Sequence, residues 1–157
     1  METKTNMSKE SKQKCHAIIH VAATASGAAG VAPIPIADTI PITTAQVIMI
    51  VSLGKVFNIE IKDSIARSLA QCGIAQTLGR NISKIILNNF PVIGQIANGF
   101  IATSLTEALG WKIADDFYKI SKGEEPTNII TGDMIKEISE LIVNKDLSKL
   151  IKKRNNN

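Results

Sequence analysis

The chain has 157 residues and a formal net charge of +4, and 45% of its residues are hydrophobic but only 4% are aromatic. This length suits one domain with a sizeable core, and that core must consist mainly of Ile, Ala, Val and Leu side chains. The modest charge and the scarcity of aromatic rings argue against nucleic acid as a partner, because phosphate binding needs a basic face and single strands need rings on which bases stack.

Residues 1–10 are polar and basic, and we expect a flexible N-terminus there. A first helix is predicted over residues 11–30, where the pattern ends at two glycines. Pro33 and Pro35 cannot continue that helix, because proline lacks a backbone donor and favours extended geometry in the residue before it. We therefore predict an apolar corner for contact with a membrane or a protein interface, which contains Pro33, Ile34, Pro35 and Ile36.

A second helix is predicted from Asp38 or Thr39 to about Phe57. Asp is a favoured N-cap, and Pro41 falls in the first turn, where its missing donor costs little. Asp38 is therefore interpreted as a helix cap in an apolar corner. The alternative interpretation is a buried acid that binds an ion or acts as a switch.

A third helix is predicted over residues 62–88, with apolar residues at three- and four-residue spacing and charged residues off that stripe. This is the pattern of an ordinary amphipathic helix. A second apolar corner with the same predicted role, contact with a membrane or an interface, follows and contains Pro91, Val92 and Ile93. A fourth helix is then predicted over residues 95–122.

The last part of the chain, residues 123–157, is predicted to comprise a polar linker, an amphipathic helix over residues 133–143 and a basic tail. No region shows the period-two alternation of a half-buried strand. The predicted fold is therefore all-α, with two proline-cornered helical hairpins in a domain over residues 11–122 and a C-terminal amphipathic helix.

Three stretches carry no charged residue: residues 15–37, 39–54 and 85–106. A helix on the surface of an ordinary soluble domain carries a charge on its polar face every turn or two. Uncharged helices are instead typical of membranes, of bundle centres and of subunit interfaces. Small residues at four-residue spacing let helices approach closely in either setting, and they predict close packing at Ala23, Gly27, Gly30, Gly99 and Thr103.

The sequence contains no residue pattern of a common active site. His16 and His20 are spaced i, i+4 beside Cys15, but a metal site needs three or four converging ligands. Asp115 and Asp116 are adjacent and point about 100° apart on a helix, so they do not form an acid/base pair. The 157 residues contain neither a nucleophile elbow nor a phosphate loop. We therefore expect no enzyme activity, no metal and no cofactor.

The segment 30–38, Gly-Val-Ala-Pro-Ile-Pro-Ile-Ala-Asp, resembles a family of helical domains of unknown function. Its members occur alone, in bacterial inner-membrane proteins, or behind Era-like and dynamin-like GTPase domains. Pro41, the run 46–50 and the corner 89–94 also match, and the resemblance covers about residues 14–120. It implies an all-helical, often membrane-associated module with no catalytic residues. A GTPase partner would then act in trans.

The first functional hypothesis is a membrane-associated module that inserts into, scaffolds or perturbs a bilayer, with lipid as its partner and both basic termini in the cytoplasm. A re-entrant or interfacial hairpin fits the short stretch 39–54 better than full spans, because about 20 apolar residues are needed to cross a bilayer core. The alternative is a soluble, cytoplasmic interaction or homo-oligomerisation domain.

The two hypotheses differ in what covers the uncharged helix faces. In the soluble alternative, protein covers the faces that bear Ile48, Val51, Ile96 and Phe100. An Ile48→Asp substitution would then badly destabilise the core, because an unpaired buried charge is costly. In the membrane hypothesis the same substitution leaves folding intact and removes lipid binding.

Overall fold

The computed structural model describes residues 6–31, 39–79 and 91–130 of the chain. Within these ranges the chain forms four helices and no strand, which confirms the all-α prediction for this part. The helices are α1 (Lys9–Val31), α2 (Thr39–Val56), α3 (Asp63–Gly79) and α4 (Pro91–Ser121).

Several sequence predictions lie outside the described residues. The predicted helix over residues 133–143 is among them, and so are residues 80–88 of the predicted third helix. The first apolar corner and the predicted cap are also outside: Pro33, Ile34, Pro35, Ile36 and Asp38.

The start of α1 is fixed by Ser8, which precedes Lys9. The Ser8 hydroxyl accepts the backbone N–H of Ser11 at 3.2 Å, and the Ser8 carbonyl accepts the N–H of Lys12 at 2.9 Å. These are the bonds of an N-cap residue, whose side chain satisfies a helix donor that has no intrahelical partner. Because the cap lies at Ser8, α1 begins earlier than residue 11, where the sequence prediction placed it.

A tight turn ends α2 and leads toward α3. Asn58 has a φ of 58°, in the left-handed region that Asn tolerates better than most residues. The N–H of Ile59 then donates to the carbonyl of Gly54 at 2.9 Å. A Cβ at Gly54 would lie 2.6 Å from the carbonyl oxygen of Ile59, so this return of the chain needs glycine at that position.

The helix α4 begins at Pro91, earlier than the predicted start at residue 95. Proline is favoured in the first helical turn, because its missing donor would have no intrahelical acceptor there. Pro91, Val92 and Ile93 therefore belong to the first turn of α4. The sequence prediction placed these three residues in a corner ahead of the helix.

The helix α4 packs against the other three helices. It is antiparallel to α1, since Gly27 faces Thr103 at one end and the Tyr118 hydroxyl donates to the Asn6 carbonyl at 2.9 Å at the other. The contact between Gly27 and Thr103 lies in the later part of α1 and the earlier part of α4. The two helices therefore pack along most of their shared length.

The helix α2 runs in the same direction as α4. Gln46 Nε2 donates to Thr106 Oγ1 at 3.0 Å inside the bundle, and the Phe57 ring lies edge-on to Tyr118 with centroids 6.2 Å apart. It follows that α1 and α2 form an antiparallel hairpin that packs on α4. The helix α3 packs on α2 and α4.

The core lies between the α1–α2 hairpin and α4 and extends to α3. Its large, fully buried side chains are mostly Ile and Leu, as the composition predicts, together with Met49 and one aromatic residue, Phe117. The large members on the helices are Ile19, Met49, Ile50, Leu53, Leu69, Leu109, Ile113 and Ile120.

Candidate interaction surface

The helix directions bring the uncharged parts of α1, α2 and α4 together. The contact of Gly27 with Thr103 and the bond between Gln46 and Thr106 both lie in this half of the bundle. We name it the uncharged end. The opposite half, the charged end, contains the start of α1 and the ends of α2 and α4, whose charged residues include Lys9, Glu10, Lys12, Lys14, Lys55, Lys119 and Lys122.

An apolar groove runs between α1 and α2 and encloses a volume of about 830 Å³. Among the described residues that line it, none is charged, and hydroxyls enter it only from Thr44 and Ser52. We name it the α1–α2 groove and define it by Ala17, Ile18, Val21, Ala22 and Ala25 of α1 and by Thr44, Ala45, Ile48, Met49 and Ser52 of α2.

Two large aliphatic side chains in this groove are exposed. Val21 is 69% exposed and Ile48 is 61% exposed, although each follows or precedes a buried residue on its own helix. Single exposed aliphatic side chains are normal on protein surfaces. Here one from each helix opens onto the same uncharged groove, which makes a continuous apolar surface.

The four residues named as markers of the uncharged faces have different positions. Ile48 is exposed, so it is not part of the core that the described residues form. Val51 is half-buried and packs against the core. The side chains of Ile96 and Phe100 lie outside the described part of the chain.

The predicted packing residues lie along α1 and α4. Ala23 is buried, and a Cβ at Gly27 would overlap Thr103 Oγ1 and lie 3.3 Å from the carbonyl oxygen of Gly99. The Thr103 hydroxyl donates to that same carbonyl at 2.9 Å. Gly30 lies in the last turn of α1, and its surroundings are outside the described residues. The absence of a side chain at Gly27 therefore lets α1 pack directly against Thr103 and the Gly99 carbonyl of α4.

A polar cluster anchors the segment that follows α4. Gly123, with a φ of 76°, turns the chain back, and the Asp116 carboxylate then accepts a continuous run of backbone N–H groups. Oδ1 accepts those of Thr127 at 3.1 Å and Asn128 at 2.9 Å, and Oδ2 accepts those of Ile129 at 2.7 Å and Ile130 at 2.9 Å. A buried carboxylate with this many donors serves as an anchor for the segment.

The two adjacent aspartates share a partner across this segment. Asn128 Nδ2 donates to Asp115 Oδ2 at 2.8 Å and to Asp116 Oδ1 at 2.9 Å. Asp115 also pairs with Lys119 at 2.7 Å, and Lys119 donates to Thr127 Oγ1 at 2.6 Å. Sequence reasoning missed this cluster, because residues 123–131 have the composition of a polar linker and the contacts are not local.

The two histidines lie on the exposed side of α1. Their rings stack with centroids 5.9 Å apart, and the Trp111 ring lies 6.3 Å from that of His16. Cys15 is instead fully buried, and burial raises the pKa of its thiol to about 11. Among the residues that the structure describes, no three His, Cys, Asp or Glu side chains are grouped so that they could hold a metal ion.

The sequence matches the family described as "Domain of unknown function (DUF697)" over residues 1–143. The chain belongs to the DUF697 family. The matched span extends beyond residues 14–120, to which the resemblance was assigned, and includes the segment anchored by Asp116. Neither the curated proteins nor the solved structures include a match to this DUF697 chain. No helix within residues 6–31, 39–79 and 91–130 combines the length and the apolar character that crossing a membrane requires.

Proposed function

We propose that this DUF697 chain is a non-enzymatic module that binds the surface of a lipid bilayer through the α1–α2 groove. The observation that carries the proposal is the exposure of Val21 and Ile48 on one uncharged groove. The groove lies along the flank of the hairpin, so both helices contact lipid when the hairpin lies in the membrane interface. Helices bound in this way bury one apolar face at the boundary between headgroups and acyl chains.

The expected binding is weak and reversible. Full burial of an exposed Val or Ile side chain contributes about 1.5–3 kcal/mol, and two partly exposed side chains contribute a few kcal/mol together. A single myristoyl chain contributes about 5.5 kcal/mol and is already marginal without a second contribution, so these two side chains alone bind more weakly than that. The module would therefore be able to leave the membrane, and its occupancy would depend on further contacts.

The same proposal puts both basic termini on the cytoplasmic side of the membrane, where the anionic lipids of the cytoplasmic leaflet attract Lys and Arg side chains. A GTPase that acts in trans stays a prediction of the family resemblance. The scaffolding or perturbing role that the first hypothesis includes would follow from binding, because a bound hairpin displaces headgroups from one leaflet.

The proposal is tested by flotation of the purified chain with phosphatidylcholine vesicles. The wild-type chain is expected to float with the vesicles, and the Ile48→Asp variant is expected to stay in the dense fraction, because it places a charge in the apolar groove. Gln71→Asp is the matched control, since it adds the same charge at an exposed position of α3. It is expected to float like the wild type.

Two results would contradict the proposal. Equal flotation of the wild type and Ile48→Asp would show that the groove does not contact lipid. Absence of wild-type flotation, together with a dimer that Ile48→Asp converts to a monomer in light scattering, would show that the groove binds a second copy of the chain instead. Circular dichroism of each variant checks that the helices are intact.

A further inference from the structure

Two lysines lie on the same helical stripes as the exposed side chains of the groove. Lys14 precedes Val21 by seven residues, and Lys55 follows Ile48 by seven residues. Seven residues are almost two full turns, so each pair lies on one side of its helix, about 10.5 Å apart along the axis. Because α1 and α2 are antiparallel, both lysines are displaced toward the charged end.

The two lysines also lie at nearly the same level along the hairpin. Ile19 and Met49 meet at one point, since a Cβ at Gly110 would lie 2.7 Å from Ile19 and 2.9 Å from Met49. Lys14 precedes Ile19 by five residues and Lys55 follows Met49 by six, which are axial displacements of about 7.5 and 9 Å. The groove therefore has one lysine from each helix at its charged end.

We propose that Lys14 and Lys55 contact the phosphates of anionic lipids while the groove contacts acyl chains, an inference that rests on the proposed function. Because the hairpin lies in the membrane interface, the separation of about 10.5 Å along each stripe lies in the plane of the bilayer. The long lysine side chains can then reach headgroup phosphates while Val21 and Ile48 contact acyl chains. Anionic headgroups complement the positive charge of the two lysines, whereas the described lining of the groove has no charge that attracts a headgroup. The occupant is thus an anionic bilayer surface.

The partner of Lys14 in the free chain is Glu10, at 2.6 Å. The side chains of both residues are largely exposed, and exposed pairs of this kind stabilise a helix only slightly. Lys14 can therefore exchange Glu10 for a phosphate at little cost. The Glu10 carboxylate repels the same headgroup, so its removal strengthens binding.

The test compares flotation on phosphatidylcholine vesicles with flotation on vesicles that also contain phosphatidylglycerol. Phosphatidylglycerol is expected to raise the partition coefficient of the wild type, by about fivefold for each lysine that contacts the surface. The Lys14→Gln/Lys55→Gln double variant is expected to lose this increase and to retain binding to phosphatidylcholine. Glu10→Gln is expected to show a larger increase than the wild type.

Arg67→Gln is the matched control, because it removes one positive charge at an exposed position of α3. It is expected to keep the wild-type response to phosphatidylglycerol. An equal loss in Arg67→Gln and in each single lysine variant would overturn the inference, since net charge alone would then explain the response.

The outcomes separate this inference from the proposed function. Wild-type binding that is the same on both vesicle types would overturn the anionic-lipid inference and leave the groove as a lipid-binding surface. Wild-type binding to neither vesicle type would overturn both. Loss of all binding in Ile48→Asp, with loss of only the phosphatidylglycerol increase in the double lysine variant, supports both.

Discussion

The Asp116 carboxylate accepts the backbone N–H of Ile129 at 2.7 Å, and the same oxygen accepts that of Ile130. This contact holds the segment after α4 against the bundle, where Ile129 and Ile130 are buried. A Cβ at Gly73 would lie 2.9 Å from Ile129 Cδ1, so Ile129 fills the space beside α3. One buried carboxylate thus connects the chain after α4 to the packing of α3.

Replacement of Asp116 is expected to destabilise the fold. Asp116→Ala leaves four backbone N–H groups without their acceptor, two of them on the buried Ile129 and Ile130, and the expected loss is about 3 kcal/mol or more in the free energy of unfolding. Asp116→Asn is expected to lower the free energy of unfolding by somewhat less, because one oxygen remains as an acceptor. The loss stays substantial, because the new amide NH₂ faces two N–H donors. Urea unfolding measures both, and Glu107→Gln, an exposed change on the same helix, should leave the midpoint unchanged.

The contact of Gly27 with Thr103 predicts that a side chain at residue 27 is unfavourable while Thr103 is present. Gly27→Ala is expected to destabilise the fold by about 1–3 kcal/mol through overpacking against Thr103, although alanine favours helices more than glycine does. Thermal or urea unfolding measures the loss. Ala28→Ser is the control, because it also adds one heavy atom but at the exposed neighbouring position of α1, and it should change stability by no more than about 0.5 kcal/mol.

The same contact predicts a rescue. Thr103→Ala removes the hydroxyl that the new Cβ overlaps, and the remaining Cβ of residue 103 would lie at an ordinary 3.5 Å. The double variant Gly27→Ala/Thr103→Ala is therefore expected to recover most of the stability that Gly27→Ala loses. Additive losses in the double-mutant cycle would show that the two helices do not meet at these residues.

The exposure of Ile48 predicts that a charge there leaves folding almost intact. Ile48→Asp is expected to change the free energy of unfolding by less than about 1 kcal/mol, as is usual for exposed positions. Ile50→Asp is the contrasting variant, because Ile50 is fully buried and an unpaired charge there should prevent folding. A large loss of stability in Ile48→Asp would show that protein covers the groove.

Burial of Cys15 predicts slow reaction with alkylating reagents. The thiolate is the reactive form, and burial raises the pKa of this thiol from 9.0 to about 11, so little thiolate is present near neutral pH. Mass spectrometry after iodoacetamide treatment should find Cys72, which is only partly buried, modified first. Equal rates at the two positions would contradict the packing of α1.

The raised pKa of Cys15 also has a consequence for stability. The folded chain keeps this thiol protonated to a higher pH than the unfolded chain does, so the unfolded chain binds fewer protons above about pH 9. Stability is therefore expected to fall as the pH rises from 9 toward 11. Cys15→Ala removes the titrating group, and its unfolding free energy should depend less on pH in this range.

The helices could be predicted well from the sequence, because their signals are local. The predicted second helix ends at Phe57 and α2 ends at Val56, since the apolar run and the turn residues that follow it are neighbours in the chain. The groove could not be predicted in the same way. Ile48 and Met49 are adjacent and equally apolar, yet one is 61% exposed and the other 1%, because α4 covers only one face of the hairpin.

The contacts of the segment that Asp116 anchors could not be predicted from the sequence either. Asp116 and Asn128 lie on different sides of the turn at Gly123, and no local pattern relates them. The apolar pair Ile129 and Ile130 is the one local signal of burial in an otherwise polar stretch. The separation of the bundle into a charged and an uncharged end also depends on the directions of the helices. Those directions cannot be predicted from the hydropathy of each helix alone.

The contact between the groove and lipid is tested most directly by an environment-sensitive fluorophore at Ile48→Cys, in a chain that also carries Cys72→Ser. Nitrobenzoxadiazole at residue 48 is expected to brighten and shift to the blue when vesicles containing phosphatidylglycerol are added. The same dye at Gln71→Cys on α3 is expected not to change. Identical spectra at residue 48 with and without vesicles, for a chain that floats with them, would contradict lipid binding through the α1–α2 groove.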